Sequence, residues 1–235
     1  MRSSTSARAV SMSIRAIGGS SRIAARLEAM RASRAAILAG GRGSRIGGLK
    51  AAVELAGRPL IAYPIAAARE AGLEPLVVAK HAFELPPLDC ELLLEPAEPA
   101  HPLTGIVAAL EHLGEPVVVV ACDLPLLPAA LIAALAAREA PLVVPTDPGP
   151  QPLIARYEPE LLPRLRAWLA TSAPLRRLAV ELEAEAIAGA ELRAFGDPRR
   201  FLANVNDRES LARAEALLAG PGPRAGTDPG QAGKT

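Results

Sequence analysis

The sequence predicts an α/β fold: a doubly wound, Rossmann-like, mostly parallel sheet with helices on both faces. Three observations carry this. Short apolar runs at Ala35–Ala39, Pro75–Ala79, Glu91–Leu94, Val117–Cys122 and Leu142–Val144 alternate with stretches of about ten residues that have helical spacing. Val117-Val118-Val119-Val120 is apolar and β-branched throughout, the mark of a central parallel strand buried on both faces. The first run ends in a glycine-rich break, where sheets of this class place ligands.

Each element has a local reason. Ala35–Ala39 is the first strand. Ala51–Ala56 leads into a turn at Gly57-Arg58, and Pro59 opens a helix over Leu60–Glu70, because its missing N–H is an orphan donor there anyway. Gly72 closes that helix. After the next two strands, Thr104–Leu113 reads as a helix ended by Gly114, and Pro128–Arg138 as another. The second half is less regular. Leu153–Tyr157 is a candidate strand, Pro159–Ala170 and Pro174–Leu182 are helices, and Leu192–Phe195 and Phe201–Val205 are short strand candidates. Asp207 caps a last helix, Arg208–Leu218, with Ser210 where a full capping box has Glu or Gln.

Composition narrows the function classes. Half of the 235 residues are hydrophobic and 22% are charged, the balance of a globular domain. Residues 1–34 hold seven arginines and one acid, a balance of +6, so the net charge of +1 leaves −5 on the remainder. A mildly acidic body is not the footprint of a nucleic-acid binder. No apolar run reaches membrane-spanning length. Cys90 and Cys122 exclude a disulfide framework and read as buried thiols of a cytoplasmic protein. Residues 1–34 are expected to be a poorly ordered basic extension, or to reflect a start assigned too early, given Met12 and Met30. Residues 35–219 are expected to form one domain and 220–235 a disordered Gly/Pro-rich tail.

The chemistry centres on Leu38-Ala39-Gly40-Gly41-Arg42-Gly43-Ser44-Arg45-Ile46-Gly47-Gly48-Leu49-Lys50. Exposed backbone N–H groups with fixed positive charges suit a nucleoside triphosphate. A dinucleotide fingerprint would open directly into a helix, and a phosphate loop of the Walker type would place Ser or Thr after its lysine. Neither follows here. Asp123 ends the strongest strand, at the sheet edge that should also carry the loop. Taken alone it reads as a turn residue or as a ligand for a hard cation.

The loop resembles that of the sugar-phosphate and cofactor nucleotidyltransferases. Four further segments narrow the resemblance: His101-Pro102-Leu103-Thr104-Gly105, Cys122-Asp123-Leu124-Pro125, Gln151-Pro152-Leu153-Ile154-Ala155 and Asn204-Val205-Asn206-Asp207. In this order they are similar to the molybdenum cofactor guanylyltransferases, over about Ala35 to Leu218. The resemblance implies a sheet of the nucleotide-diphospho-sugar transferase type and transfer of GMP from GTP to molybdopterin, forming the guanine dinucleotide. It implies GTP contacts at Leu38, Ala39, Gly40, Gly41, Lys50, Glu98 and Asp123. Arg45, Lys50 and Asp123 would be catalytic, Asp123 would bind Mg²⁺, and Asn204 and Asn206 would lie toward the pterin. Other molybdenum cofactor biosynthesis proteins are candidate partners; nucleic acid and membrane are not, and the oligomeric state stays open. The sequence departs from the family at Lys80, where an asparagine is expected, and in the shortened stretch before Lys50.

Plainer readings stand beside these. Asparagines at a strand end are common turn and cap residues. His81, His101 and His112 lack metal-ligand spacing and read as surface or loop residues. Trp168 reads as core. Arg164, Arg166, Arg176 and Arg177 read as a solvated face, or as receivers of an anionic pterin phosphate. The competing functions are guanylyl transfer to adenosylcobinamide phosphate, a cytidylyl or sugar-phosphate transferase, and a nucleotide-binding regulator without catalysis.

Overall fold

A computed structural model of the chain describes residues 31–40, 42–43, 48–82, 85–171 and 173–219. The basic extension up to residue 30, the tail from residue 220, Gly41 and Arg45 lie outside the described residues. The strands are β1 (Arg34–Leu38), β2 (Arg42–Gly43), β3 (Gly48–Leu49), β4 (Glu54–Leu55), β5 (Arg58–Pro59), β6 (Glu74–Ala79), β7 (Glu91–Leu94), β8 (Val117–Ala121), β9 (Leu142–Thr146), β10 (Ile154–Tyr157) and β11 (Glu185–Ala188). The helices are α1 (Ala62–Glu70), α2 (Pro102–Leu113), α3 (Ala129–Ala136), α4 (Leu162–Leu169), α5 (Leu175–Glu181), α6 (Gly189–Arg193), α7 (Pro198–Phe201) and α8 (Arg208–Leu218).

Seven strands form the main sheet in the order β11-β9-β10-β8-β1-β6-β7. All pairs are parallel except those of β10, which runs antiparallel between β8 and β9. The central strands are buried on both faces. Ala35, Ile37, Val118 and Val120 pack into one core layer, with Ile65 of α1 and Leu131, Ile132 and Leu135 of α3. Ala36, Val117 and Val119 pack into the other, with Ile106 and Leu110 of α2, Leu165 of α4 and Leu178 of α5. This period of two is why the valine run has no polar residue. Among the described residues no helix is long and apolar enough to cross a membrane.

Several local expectations change. Pro59 does not start a helix. It ends a two-residue hairpin in which Ala56 (φ 48°) and Gly57 (φ 75°) both have the positive φ of a type I′ turn, and α1 starts at Ala62. Leu192 lies in α6 and Phe201 in α7, so neither strand candidate forms; the last strand among the described residues is β11. The α8 capping box is complete, because Ser210 Oγ accepts from the backbone of Asp207 at 3.0 Å and Asp207 Oδ1 accepts from Ser210 N at 2.8 Å. Trp168 is half-buried against the α2-side core. Cys122 is buried, which pushes its thiol up to about 12; Cys90 is half-buried and also raised by burial.

Candidate active site

The carboxyl ends of four parallel strands build the site. β1 delivers Leu38 and Gly40, β6 delivers Lys80, β7 delivers Glu95, and β8 delivers Cys122 and Asp123. The ladder continues just past these ends: Ala39 N donates to Val78 O at 2.8 Å, Glu95 N to Ala79 O at 2.9 Å and Cys122 N to Leu38 O at 3.1 Å. Because β10 is antiparallel, it presents its amino end at this edge, and Ala121 N donates to Leu153 O at 2.9 Å. The segment Gln151-Pro152-Leu153 thereby joins the site without following a parallel strand.

These ends surround a cavity of about 660 Å³ lined by Leu38, Gly40, Lys50, Lys80, Glu95, Glu98 and Asp123, among others. Five residues predicted from sequence therefore meet here: Leu38, Gly40, Lys50, Glu98 and Asp123. Ala39 does not line it. Its side chain is 1% exposed in the core, and its N–H is spent on Val78 O, so it supports the loop from below.

Asp123 is 9% exposed, with both carboxylate oxygens engaged. Oδ2 accepts from Lys50 Nζ at 2.8 Å and Oδ1 from Asn204 Nδ2 at 2.9 Å. Lys50 Nζ also donates to Asn206 Oδ1. Lys50 opens a single 3-10 turn after β3, and that turn aims it at the carboxylate. Asn204 and Asn206, expected toward the pterin, thus bond to the aspartate and the lysine. Asn204 also borders a second cavity of about 400 Å³.

The family resemblance implies a nucleotide-contacting acid at Glu98. In the structure Glu98 is exposed at the rim, where Oε2 accepts from Ala100 N at 3.0 Å. Glu95 lies deeper. Its Oε2 is buried and has no hydrogen-bond partner among the described residues. The carboxyl group sits against two glycines: a Cβ on Gly40 would lie 2.5 Å from Oε1, and one on Gly105 2.9 Å from Oε2. Burial raises the Glu95 pKa, and the nearby Lys80 ammonium acts in the opposite direction. Lys80 Nζ donates to Pro96 O at 2.9 Å and Ala97 O at 2.7 Å. These bonds leave one of its three ammonium protons for a ligand. The available signal was positional: Glu95 and Lys80 each come directly after a parallel strand, as the glycine loop and Asp123 nearly do.

The second cavity is lined by Gln151, Arg176, Leu124, Leu175 and Leu202 and shares His101, Pro102 and Leu153 with the first. Of the four arginines, Arg176 faces this cavity, Arg166 pairs with Glu111, Arg177 pairs with Glu181, and Arg164 donates to Glu181 O at 3.0 Å. His101 stands on the shared wall and caps α2, its Nδ1 accepting from Leu103 N at 3.1 Å. Burial lowers its pKa, in keeping with a neutral ring. His112 pairs with Glu91, and His81 is an exposed residue of the first cavity.

Among the described residues no group of three or more His, Cys, Asp or Glu side chains could hold a metal. A caged transition metal is therefore not the fit. Asp123, a buried carboxylate beside a lysine in a cavity of triphosphate size, fits a hard divalent cation completed by phosphate oxygens.

A doubly wound sheet with a glycine loop after β1 and an acid after β8 defines a nucleotide-binding transferase. The chain belongs to the MobA-like NTP transferase domain family, whose profile matches residues 35–186; it is a nucleotidyltransferase. It is 32% identical over 193 residues to the molybdenum cofactor guanylyltransferase of Shewanella amazonensis, covering 78% of this chain and 96% of that protein. It is 32% identical over 195 residues to the probable molybdenum cofactor guanylyltransferase of Chloroflexus aggregans, with 77% and 93% covered. Molybdopterin-guanine dinucleotide biosynthesis protein A of Archaeoglobus fulgidus superposes with a TM-score of 0.66 at 24% identity, covering 79% of this chain and 98% of that one. The 2-C-methyl-D-erythritol 4-phosphate cytidylyltransferase of Thermus thermophilus shares the fold, with a TM-score of 0.56 at 20% identity and 79% and 98% covered.

Proposed function

We propose that the protein transfers GMP from GTP to molybdopterin, or to its molybdenum-loaded form, releasing pyrophosphate, with Mg²⁺ as cofactor and in the cytoplasm. The observation that carries the base assignment is the Glu95 carboxyl group at the cavity wall, whose Oε2 is buried and without a hydrogen-bond partner among the described residues. Two carboxylate oxygens match the adjacent N1–H and N2–H₂ donors of guanine, whereas adenine and cytosine each set one donor beside an acceptor. Lys80, in place of the family's asparagine, supplies a donor for guanine O6. A site built to hydrogen-bond a substrate group rejects analogues lacking it by about 10⁴-fold, because its own polar groups are left unpaired.

In the reaction, a terminal phosphate oxygen of the acceptor forms a bond to the α-phosphorus of GTP while the α–β bridging bond breaks. The attacking oxygen is already anionic at neutral pH, so no general base is needed. Lys50 balances triphosphate charge, Arg45 the reacting phosphate, and Gly40 and Gly41 let the backbone approach. Asp123 would hold Mg²⁺, which when bound neutralises developing charge on the phosphates. The second cavity, where Gln151, Arg176, His101 and Asn204 stand in a wall of Leu, Ile and Pro side chains, receives the acceptor.

The test is a magnesium-dependent pyrophosphate-release assay crossing GTP, CTP and ATP with molybdopterin and adenosylcobinamide phosphate. Release with GTP and molybdopterin is expected. Release with cobinamide phosphate alone overturns the acceptor, and no release with any pair returns the chain to a nucleotide-binding regulator. Asp123→Asn is expected to slow GTP-dependent turnover by about 10²-fold or more, the scale of losing a metal-borne charge contribution. Full-rate turnover would remove Asp123 from the metal role.

A further inference from the structure

The segment Asn204-Val205-Asn206 spends both of its amide side chains inside the protein. Asn204 Nδ2 donates to Asp123 Oδ1 at 2.9 Å, and Asn206 Oδ1 accepts from Lys50 Nζ. The chemistry fixes both orientations: a carboxylate accepts and an ammonium donates, so Asn204 must offer its NH₂ and Asn206 its oxygen. Between them, Val205 N donates to the main-chain oxygen of Asp123 at 2.9 Å. The Val205 side chain is 1% exposed in a small apolar cluster with Leu55, Leu60 and Ala214. On the far side, Asn206 N donates at 2.9 Å to Ser210 Oγ, the same hydroxyl that accepts from Asp207 N in the capping box of α8. An apolar plug and a helix cap thus hold the segment against the aspartate and the lysine.

We propose that Asn204 and Asn206 are positioning residues. Asn204 fixes the Asp123 carboxylate in the orientation that receives the divalent cation, and Asn206 holds the Lys50 ammonium where the triphosphate arrives. This rests on the functional reading above but gives the two asparagines a task other than contact with the pterin. Residues that orient a metal-binding carboxylate through a hydrogen bond change metal affinity by about 10- to 100-fold when removed. Asn204 borders the acceptor cavity, but its amide NH₂ bonds to Asp123.

The experiment uses the full-length protein with Mn²⁺ as the probe metal, followed by electron paramagnetic resonance with GTP present and no acceptor. Asn204→Ala is expected to weaken Mn²⁺ binding about 10- to 100-fold. Asn206→Ala is expected to weaken GTP binding by calorimetry. Both should lower kcat while leaving the KM for molybdopterin unchanged. Asn204→Ser, which stays polar but is too short to span to Asp123, should repeat the Mn²⁺ result if the alanine variant folds poorly. Wild-type Mn²⁺ and GTP binding in the variants, with a raised molybdopterin KM, would make them acceptor ligands and overturn the proposal. A lowered melting temperature with unchanged Mn²⁺ binding would make them merely structural and also overturn it. Absence of Mn²⁺–GTP binding in the wild-type protein would overturn the functional reading itself.

Discussion

Glu95 holds the conflict between stability and binding in one side chain. Folding removes water from its carboxyl group, and one oxygen has no partner among the described residues to replace it. Its folded pKa is raised, so folding favours the protonated form. The sign follows by linkage: its favourable contribution is present below the ordinary glutamate pKa and is lost as pH rises through the raised folded value. At neutral pH the desolvated anion opposes folding. Glu95→Gln should therefore raise the melting temperature at neutral pH, with the gain shrinking on acidification toward the ordinary glutamate pKa. The same change should weaken GTP binding by about 10- to 100-fold, the worth of hydrogen bonds to a charged group. Calorimetry and thermal melts check both halves; an unchanged affinity would take Glu95 out of base recognition. The family resemblance points to Glu98, three residues on, by its place ahead of the Pro-Leu-x-Gly segment, although the strand Glu91–Leu94 was legible in sequence and Glu95 directly follows it. The end of β7 decides which acid faces inward.

At the scale of elements, the Pro-Leu-x-Gly segment has a steric reason. His101 caps α2 and Pro102 starts it, which sets Gly105 in the first turn against Glu95, Leu38 and Val78. A Cβ there would lie 2.9 Å from Glu95 Oε2 and 3.1 Å from Leu38 Cδ2. Gly105→Ala gains about 1 kcal/mol of helix propensity but pushes the carboxyl group aside. The expected result is a melting temperature within a few degrees of wild type and a clearly reduced GTP affinity; unchanged affinity would show that the carboxyl group needs no such room. The helices and strands with long periodic patterns were legible in sequence. Short ones were legible only in part: Glu91–Leu94 is a strand as read, Leu153–Tyr157 is one from Ile154 on, and two others are not. Leu192–Phe195 and Phe201–Val205 are apolar runs too brief for periodicity to separate strand from helix. The turn was expected at Gly57-Arg58 and lies one residue earlier, at Ala56-Gly57, because alanine rarely takes the positive φ that it adopts there.

At the scale of the whole molecule, the two edges of the sheet have different tasks. The parallel order and the binding edge follow from alternating apolar runs, so the glycine loop and Asp123 were placed together from sequence. The direction of β10 was not, because Leu153–Tyr157 has the same apolar pattern read either way. Its antiparallel insertion between β8 and β9 brings Gln151–Leu153 to the site and carries Arg156 and Glu158 toward the opposite edge. There Arg156, whose side chain is fully buried, pairs with Glu158 and donates to Ala140 O at 2.6 Å, while Glu158 N donates to Pro141 O at 2.8 Å. Both acceptors lie just ahead of β9, so the pair ties strand entry on the side away from the candidate site. Removing one partner strands charge in a low-dielectric interior. Glu158→Ala should therefore cost about 3 kcal/mol, the low end for a broken buried pair, since the Glu158 side chain keeps 17% exposure. Urea unfolding should show that loss. Calorimetry well below the melting temperature should give wild-type GTP affinity, because the substitution lies at the far ends of the strands. A fall in affinity at full folding would mean that strain at the amino edge reaches the carboxyl edge through β10, and the two edges would then not be separable.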